Sequence, residues 1–326
     1  MLHQPYMKLF PISLPPADTF AGQRAVVTGG TTGLGLAAAA HLINLGAAEV
    51  ITRGRSKGRA RALELDMEDY TSIVEFAAKV KDIGKGSGGV DVVILNAGMI
   101  GVEPRVTANG WEQNIQVNTI SSILLATLLL PHLKAQRASR SSPAHITLVS
   151  SGRFAEPNIV DWPKWHDEGI LAHFSKPENW PGSQGMYPIT KLSLQYGFRE
   201  LAELARGPDG RPDVIMNTVC PGAVKTDLSR GYAENGVAFR VALGIFSAVF
   251  AKSAENGARA YMAAVTTKEE EHGKMVQFYW SNAQLAAQEA KNLGSEAGRR
   301  LQSWVWDEIC KEMVSKVPET KEFLKA

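Results

Sequence analysis

The sequence predicts an α/β fold, a single doubly wound domain with a mostly parallel sheet of about seven strands and helices on both faces. Two observations carry this. Near the N-terminus, Arg24-Ala25-Val26-Val27 reads as a buried strand, runs into the glycine-rich turn Thr28 to Gly35, and is followed by the apolar helical stretch Leu36 to Leu45. Further apolar runs at Val50 to Thr52, Asp91 to Leu95, His145 to Val149 and Val214 to Val219 alternate with helical patterns, with no linker-like break. The 326 residues therefore read as one large domain, and an apolar share of 44% suffices for its core.

The glycine turn is the first element with a chemistry. Glycines permit a tight turn and close backbone approach, and the free N–H groups at a helix start attract a pyrophosphate. A glycine-rich loop without a ligand is the plain alternative, but the strand before it and the helix after it favour a dinucleotide.

Tyr187-Pro188-Ile189-Thr190-Lys191 opens a helical pattern running to about Leu204 and sets a phenol and an ammonium on one helix face. A lysine beside a tyrosine favours the phenolate and lowers a pKa that otherwise sits near 10. Tyrosine and lysine at this spacing recur by chance, so the pair gains its meaning from the glycine turn.

These residues resemble the short-chain dehydrogenase/reductase superfamily over about Phe20 to Trp306. The pattern T-G-x-x-x-G-x-G is matched by Thr28 to Gly35 and N-A-G by Asn96-Ala97-Gly98. Val117-Asn118, Ser150-Ser151, Tyr187 with Lys191, and Pro221 to Thr226 follow in the family's order. Tyr187 to Leu192, Ser253 to Arg259 and the tail Leu301 to Ile309 resemble the retinol-dehydrogenase-like branch, notably fungal natural-product ketoreductases.

The resemblance implies a Rossmann fold and a catalytic set of Asn118, Ser151, Tyr187 and Lys191. Tyr187 would be the general acid, Lys191 would hold the nicotinamide ribose, Ser151 would polarise the carbonyl, and Asn118 would hold a water linking Lys191 to solvent. The dinucleotide would be bound by Thr28, Gly29, Thr31, Thr32, Gly33, Leu34 and Gly35, by Asn96, Ala97 and Gly98, and by Pro221, Gly222 and Val224. Thr226 would bond the carboxamide, and Asp66, at the end of the third strand, would cap the adenine amine. After the second strand come Arg53, Arg55, Ser56 and Lys57, with no acid where NAD enzymes hold the ribose 2′-hydroxyl. Arg55, Ser56 and Lys57 therefore point to NADP(H), the alternative being a solvated basic edge.

Two departures from the family stand out. Only ten residues separate Arg55 from Asp66, too few for a normal helical crossover, so the helix there should be missing or reduced to a turn. The connection from Ser151 to Tyr187 is long and holds Phe154, Trp162, Trp165, Phe174 and Trp180. Together these aromatics suggest a roomy apolar pocket for a bulky carbonyl or alcohol, against local packing for any single one. Val237 to Ala251, with Phe246, reads as a lid helix over that substrate, and interfacial membrane contact is its alternative.

With 35 Lys+Arg against 33 Asp+Glu, the net charge of +2 gives no sign of a nucleic-acid partner. The expected partner is a small molecule, and self-association is left open. Two cysteines, Cys220 and Cys310, rule out a disulfide framework and suit a reducing compartment, the cytoplasm; packing is the expected role of Cys220. No H-E-x-x-H occurs, so a metal site is not expected. The first twenty residues lack the pattern of a secretory signal and read as an arm on the domain, which runs from 21 to 313 with insertions near 152–186 and 228–252, ahead of a tail from 314 to 326. Two alternatives to net redox stay open: a redox-neutral enzyme of the same fold, and a dinucleotide sensor without turnover.

Overall fold

The computed structural model describes residues 8–52, 58–83, 89–225 and 250–325. Its sheet is formed by β1 (Arg24–Val27), β2 (Glu49–Thr52), β3 (Ala60–Ala62), β4 (Val92–Leu95), β5 (Ala144–Val149), β6 (Val214–Val219) and β7 (Met275–Val276). The order is β3-β2-β1-β4-β5-β6-β7 and each neighbouring pair is parallel. The chain winds outward from β1 to β3 and then returns to β4 on the other side of β1. This reversal opens a crevice at the carboxyl ends of β1 and β4.

Side-chain alternation along the strands builds two cores. Val26, Val93 and Leu95 join one cluster, with Phe76 of α2 (Tyr70–Asp82), Leu125 of α3 (Gln113–Ala135), Leu194 of α5 (Gly182–Leu204) and Val305 of α8 (Glu296–Lys316), which follows α7 (Asn282–Glu289). Ala25, Val27 and Ile94 join the other, with Leu42 of α1 (Gly33–Asn44) and Tyr261 of α6 (Ala254–Ala264). The run Gln113–Ala135 is long and apolar enough to cross a membrane, yet 89% of its most apolar window is buried inside the fold. A helix apolar on all sides belongs in a core, and this one is central. Ile12 and Leu14 pack on the second cluster, and Arg259 Nη1 donates to the Ile12 carbonyl (3.2 Å).

Three expectations change in detail. β3 ends at Ala62, so Asp66 lies in the loop beyond it, where its Oδ1 accepts from the Glu68 N–H and its own N–H donates to Ser72 Oγ. The helix expected to open at Tyr187 opens at Gly182, with Pro188 inside it. Proline has no N–H for the carbonyl four residues earlier, and that carbonyl, Gln184 O, instead accepts from Arg153 Nη2 (3.0 Å). The helix survives because an arginine from the connection takes the freed acceptor. The boundary drawn at 313 falls within α8, which continues to Lys316 and is followed by α9 (Thr320–Leu324).

The aromatics of the Ser151-to-Tyr187 connection pack into the core, and Trp162, Trp165 and Phe174 also line a cavity of about 390 Å³. Phe154, Trp162 and Phe174 are buried in the first core cluster, and Trp165 and Trp180 pack against it. Trp162 and Trp165 both meet Phe174 edge-on at 5.2 Å. The segment is a run of short helical turns that bond within themselves, and its aromatics tie those turns to the core. Its one α-helix, α4 (Ile170–Phe174), has the N–H groups of Ile170, Leu171 and Ala172 capped by the Glu308 carboxylate from α8.

Candidate active site

The crevice is a cleft of about 580 Å³. Its floor begins at Thr28, whose buried hydroxyl accepts the N–H groups of both Asn96 and Ala97, each at 2.9 Å. Asn96 Nδ2 returns a bond to the Thr28 carbonyl (3.0 Å), while Tyr261 Oη donates to Asn96 Oδ1 (2.9 Å). The glycine turn and N-A-G are thus laced together across the switch point. Gly35 leaves the room this requires: a Cβ there would stand 2.6 Å from Asn96 Nδ2 and 2.8 Å from the Gly29 carbonyl carbon. Gly29 (φ 64°) and Gly33 (φ 55°) adopt left-handed conformations that glycine tolerates best.

The start of α1 faces the cleft bare. Its N-cap Thr32 makes no side-chain capping bond and no acid occupies its first turn. By contrast α2, α6 and α8 are capped by Asp69, Ser253 and Ser295. Uncapped N–H groups and the positive end of the helix dipole suit an anionic pyrophosphate.

Thr28, Gly29, Thr31, Thr32, Gly33 and Leu34 line this cleft, as do Asp66, Asn96, Ala97 and Gly98. Pro221, Gly222 and Val224 close one side, and Ser151, Tyr187 and Lys191 stand on the wall. Gly35 and Asn118 lie behind the surface and act through neighbours. Phe154 and Trp180 are not among the lining residues. Arg55, Ser56, Lys57, Thr226 and Phe246 fall outside the described residues, as does most of Val237 to Ala251.

Lys191 is 4% exposed and donates to the Val149 carbonyl at 2.9 Å, with its Nζ 5.6 Å from the Tyr187 ring centre. Burial disfavours its charge and lowers its pKa to about 8. The Arg153 guanidinium lies 5.9 Å from the same ring centre and is itself paired with Glu156. Ser151 begins a short 3-10 turn and accepts from the Arg153 N–H.

Asn118 sits within a π-helical turn, Gln116–Ile120, the kind of irregularity often found at functional sites. Its Oδ1 accepts from the Met99 N–H (2.8 Å), and its Nδ2 donates to the Met99 carbonyl (2.9 Å) and Thr190 Oγ1 (3.1 Å). Both side-chain donors are thereby used. A Cβ on Gly98 would stand 3.1 Å from Asn118 Oδ1 and 3.9 Å from Lys191 Nζ, so the glycine lets the loop lie close against both.

Sequence reasoning missed Met99, Ile100 and Tyr261 as cleft residues, and it assigned Cys220 to packing. Cys220 is buried and accepts from the Gly152 N–H through Sγ (3.3 Å), yet it also lines the cleft. Its place directly before Pro221 was the available signal. Tyr261 had none, because it reaches Asn96 from 165 positions away.

Sheet order, bare helix start and the tyrosine–lysine pair are the features of a dinucleotide-binding fold, and comparison with known proteins gives the family. A family model described as short chain dehydrogenase matches residues 23–160. The short-chain dehydrogenase/reductase ffsI of Aspergillus flavipes is 30% identical over 334 residues, covering 95% of this chain and 92% of its own. The chain belongs to the short-chain dehydrogenase/reductase family, whose members use NAD(P). Among solved structures, ligand-free aldohexose dehydrogenase of Thermoplasma acidophilum is similar with a TM-score of 0.58 at 18% identity, covering 80% of this chain and 94% of that one. Pseudomonas aeruginosa RhlG, solved as an NADP active-site complex, has a TM-score of 0.57 at 21% identity, covering 81% and 97%. At these identities the likeness is one of fold.

Proposed function

We propose that this chain is an NADPH-dependent ketoreductase, running in reverse as an alcohol dehydrogenase, that acts on a bulky apolar carbonyl in natural-product biosynthesis. The observation carrying the proposal is that Ser151, Tyr187 and Lys191 share one cleft with an uncapped helix start. That cleft fits a dinucleotide: the bare N–H groups of α1 suit its pyrophosphate, and buried Lys191 suits the ribose hydroxyls of its nicotinamide half.

Bound there, the cofactor supplies a hydride to the carbonyl carbon. Tyr187 gives its phenolic proton to the carbonyl oxygen, Ser151 orients that oxygen by a hydrogen bond, and Lys191 stabilises the resulting phenolate. Proton return to Tyr187 is assigned to Lys191, with Asn118 expected to hold the water that links Lys191 to solvent. Preference for the 2′-phosphate rests on Arg55, Ser56 and Lys57 in the sequence, and the RhlG fold relative is itself an NADP complex. Size and apolarity of the substrate rest on Met99, Ile100 and Val149 at the cleft and on the likeness to fungal relatives.

The test is turnover of NADPH and NADH with a panel of bulky ketones, read at the nicotinamide absorbance band. NADPH-dependent loss of that band with apolar ketones is expected, with Arg55→Asp weakening NADP binding far more than NAD binding. Equal affinity for both cofactors in the parent would overturn the cofactor assignment, and absence of any ketone or alcohol turnover would overturn the reaction.

A further inference from the structure

Met99 and Ile100 line the cleft directly after Gly98, beside Lys191. They lie outside β4 and have no strand ladder to hold them. Two asparagines on α3 do so. Asn118 brackets the N–H and carbonyl of Met99, and Asn114, one turn earlier, accepts the Gly101 N–H through Oδ1 (2.7 Å). A Cβ on Gly101 would come within 2.8 Å of Asn114 Nδ2, so the loop lies directly on that amide.

Asn114 is oriented in turn by Glu112, which is 1% exposed. One carboxylate oxygen of Glu112 accepts from Asn114 Nδ2 (2.6 Å); the other accepts the main-chain N–H groups of Asn114 (2.8 Å) and Ile115 (3.1 Å). The Glu112 N–H donates to Ser175 Oγ (3.0 Å), and that hydroxyl donates to the Leu171 carbonyl in α4 (2.8 Å). Helix capping explains only one of the two oxygens, and a serine or aspartate would cap as well. Burying a carboxylate is costly unless each of its lone pairs is used. The second oxygen is spent on holding Asn114 with its amide oxygen toward the cleft loop.

We propose that Glu112 and Asn114 are a positioning pair for the reaction, fixing Met99 to Gly101 as the cleft wall beside Lys191 and joining that wall to the Ser151-to-Tyr187 connection through Ser175. Neither residue touches the reacting atoms. The inference rests on the ketoreductase reading for its kinetic arm and is independent of it for its structural arm.

Reversal of the hydrogen-bond direction tests it. Glu112→Gln keeps an oxygen for the helix cap but turns an NH₂ toward the Asn114 NH₂, and relief by flipping Asn114 would point a donor at the Gly101 N–H. Asn114→Asp alone sets two carboxylates against each other. When both substitutions are combined, the introduced amide donates to the introduced carboxylate, whose other oxygen still accepts from the Gly101 N–H. Each single substitution should lower kcat about tenfold, the expected scale for one buried donor or acceptor left facing its like, with NADPH affinity changed less than threefold. Amide exchange at Met99 and Gly101 should accelerate, and the double substitution should restore both kcat and protection. Unaltered exchange at Gly101 in both single variants, or a double variant no better than the worse single, would overturn the pair. Were the parent inactive on every carbonyl, the ketoreductase reading would fail while the exchange pattern still decided this proposal.

Discussion

Replacing Thr28 by valine removes one hydroxyl, keeps the β-branched shape, and attacks the joint between the glycine turn and N-A-G. Thr28 Oγ1 accepts two main-chain N–H groups, from Asn96 and Ala97, each at 2.9 Å. An N–H stranded in the interior costs about 1–3 kcal/mol. Asn96 and Ala97 are only partly buried at the cleft, so water can reach them and the lower end applies to each. The expected loss is about 2 kcal/mol of stability in all. Because N-A-G forms the cleft floor, dinucleotide affinity should also fall, by about tenfold if some 1.4 kcal/mol of that loss is spent on re-forming the floor. Urea unfolding of the free protein gives the first quantity, and a fluorescence titration with NADPH gives the second. Unchanged stability together with unchanged affinity would refute the claim that this hydroxyl joins the two motifs.

Other outcomes follow from the same contacts. Gly35→Ala drives a Cβ onto Asn96 Nδ2 and the Gly29 carbonyl; NADPH affinity should drop at least about tenfold in a protein whose circular dichroism remains native. Glu308→Ala strands three N–H groups of α4, so stability should fall by about 2 kcal/mol, while NADPH affinity stays unchanged in the same titration. Burial lowers the Lys191 pKa to about 8 from 10.5. Between those values the unfolded chain holds a proton that the folded, cofactor-free protein has released, so stability rises with pH across that window and the burial penalty is fully present below about 8. Denaturation of the parent and Lys191→Met at several pH values should show this rise in the parent and its absence in the variant.

Most of the cleft was legible because its chemistry demands particular residue types at particular spacings. Glycine at 29, 33 and 35 is required by backbone conformation or close approach, and Tyr187 and Lys191 must share a helix face. Other features have no local signature. Pro188 looks like the first residue of a helix, and only the distant Arg153 lets it sit inside one. Phe154, Trp162 and Phe174 have the composition of a pocket wall, and only three-dimensional packing shows that all three join the core while Trp162 and Phe174 also face a cavity. Glu112 and Asn114 matter through Gly101 and Ser175, contacts that sequence spacing does not reveal.

The measurement that bears most directly on the central claim is the single-turnover rate of Tyr187→Phe beside its NADPH affinity. Tyr187 lines the cleft with Ser151 and Lys191, and its hydroxyl is assigned to proton transfer and not to holding the dinucleotide. The rate with a ketone accepted by the parent should therefore fall by about 10²–10⁴, with NADPH affinity within about twofold of the parent. A variant that keeps most of its rate would contradict the assignment of Tyr187 as the acid, and a rate loss matched by an equal loss of cofactor affinity would move its role from proton transfer to binding.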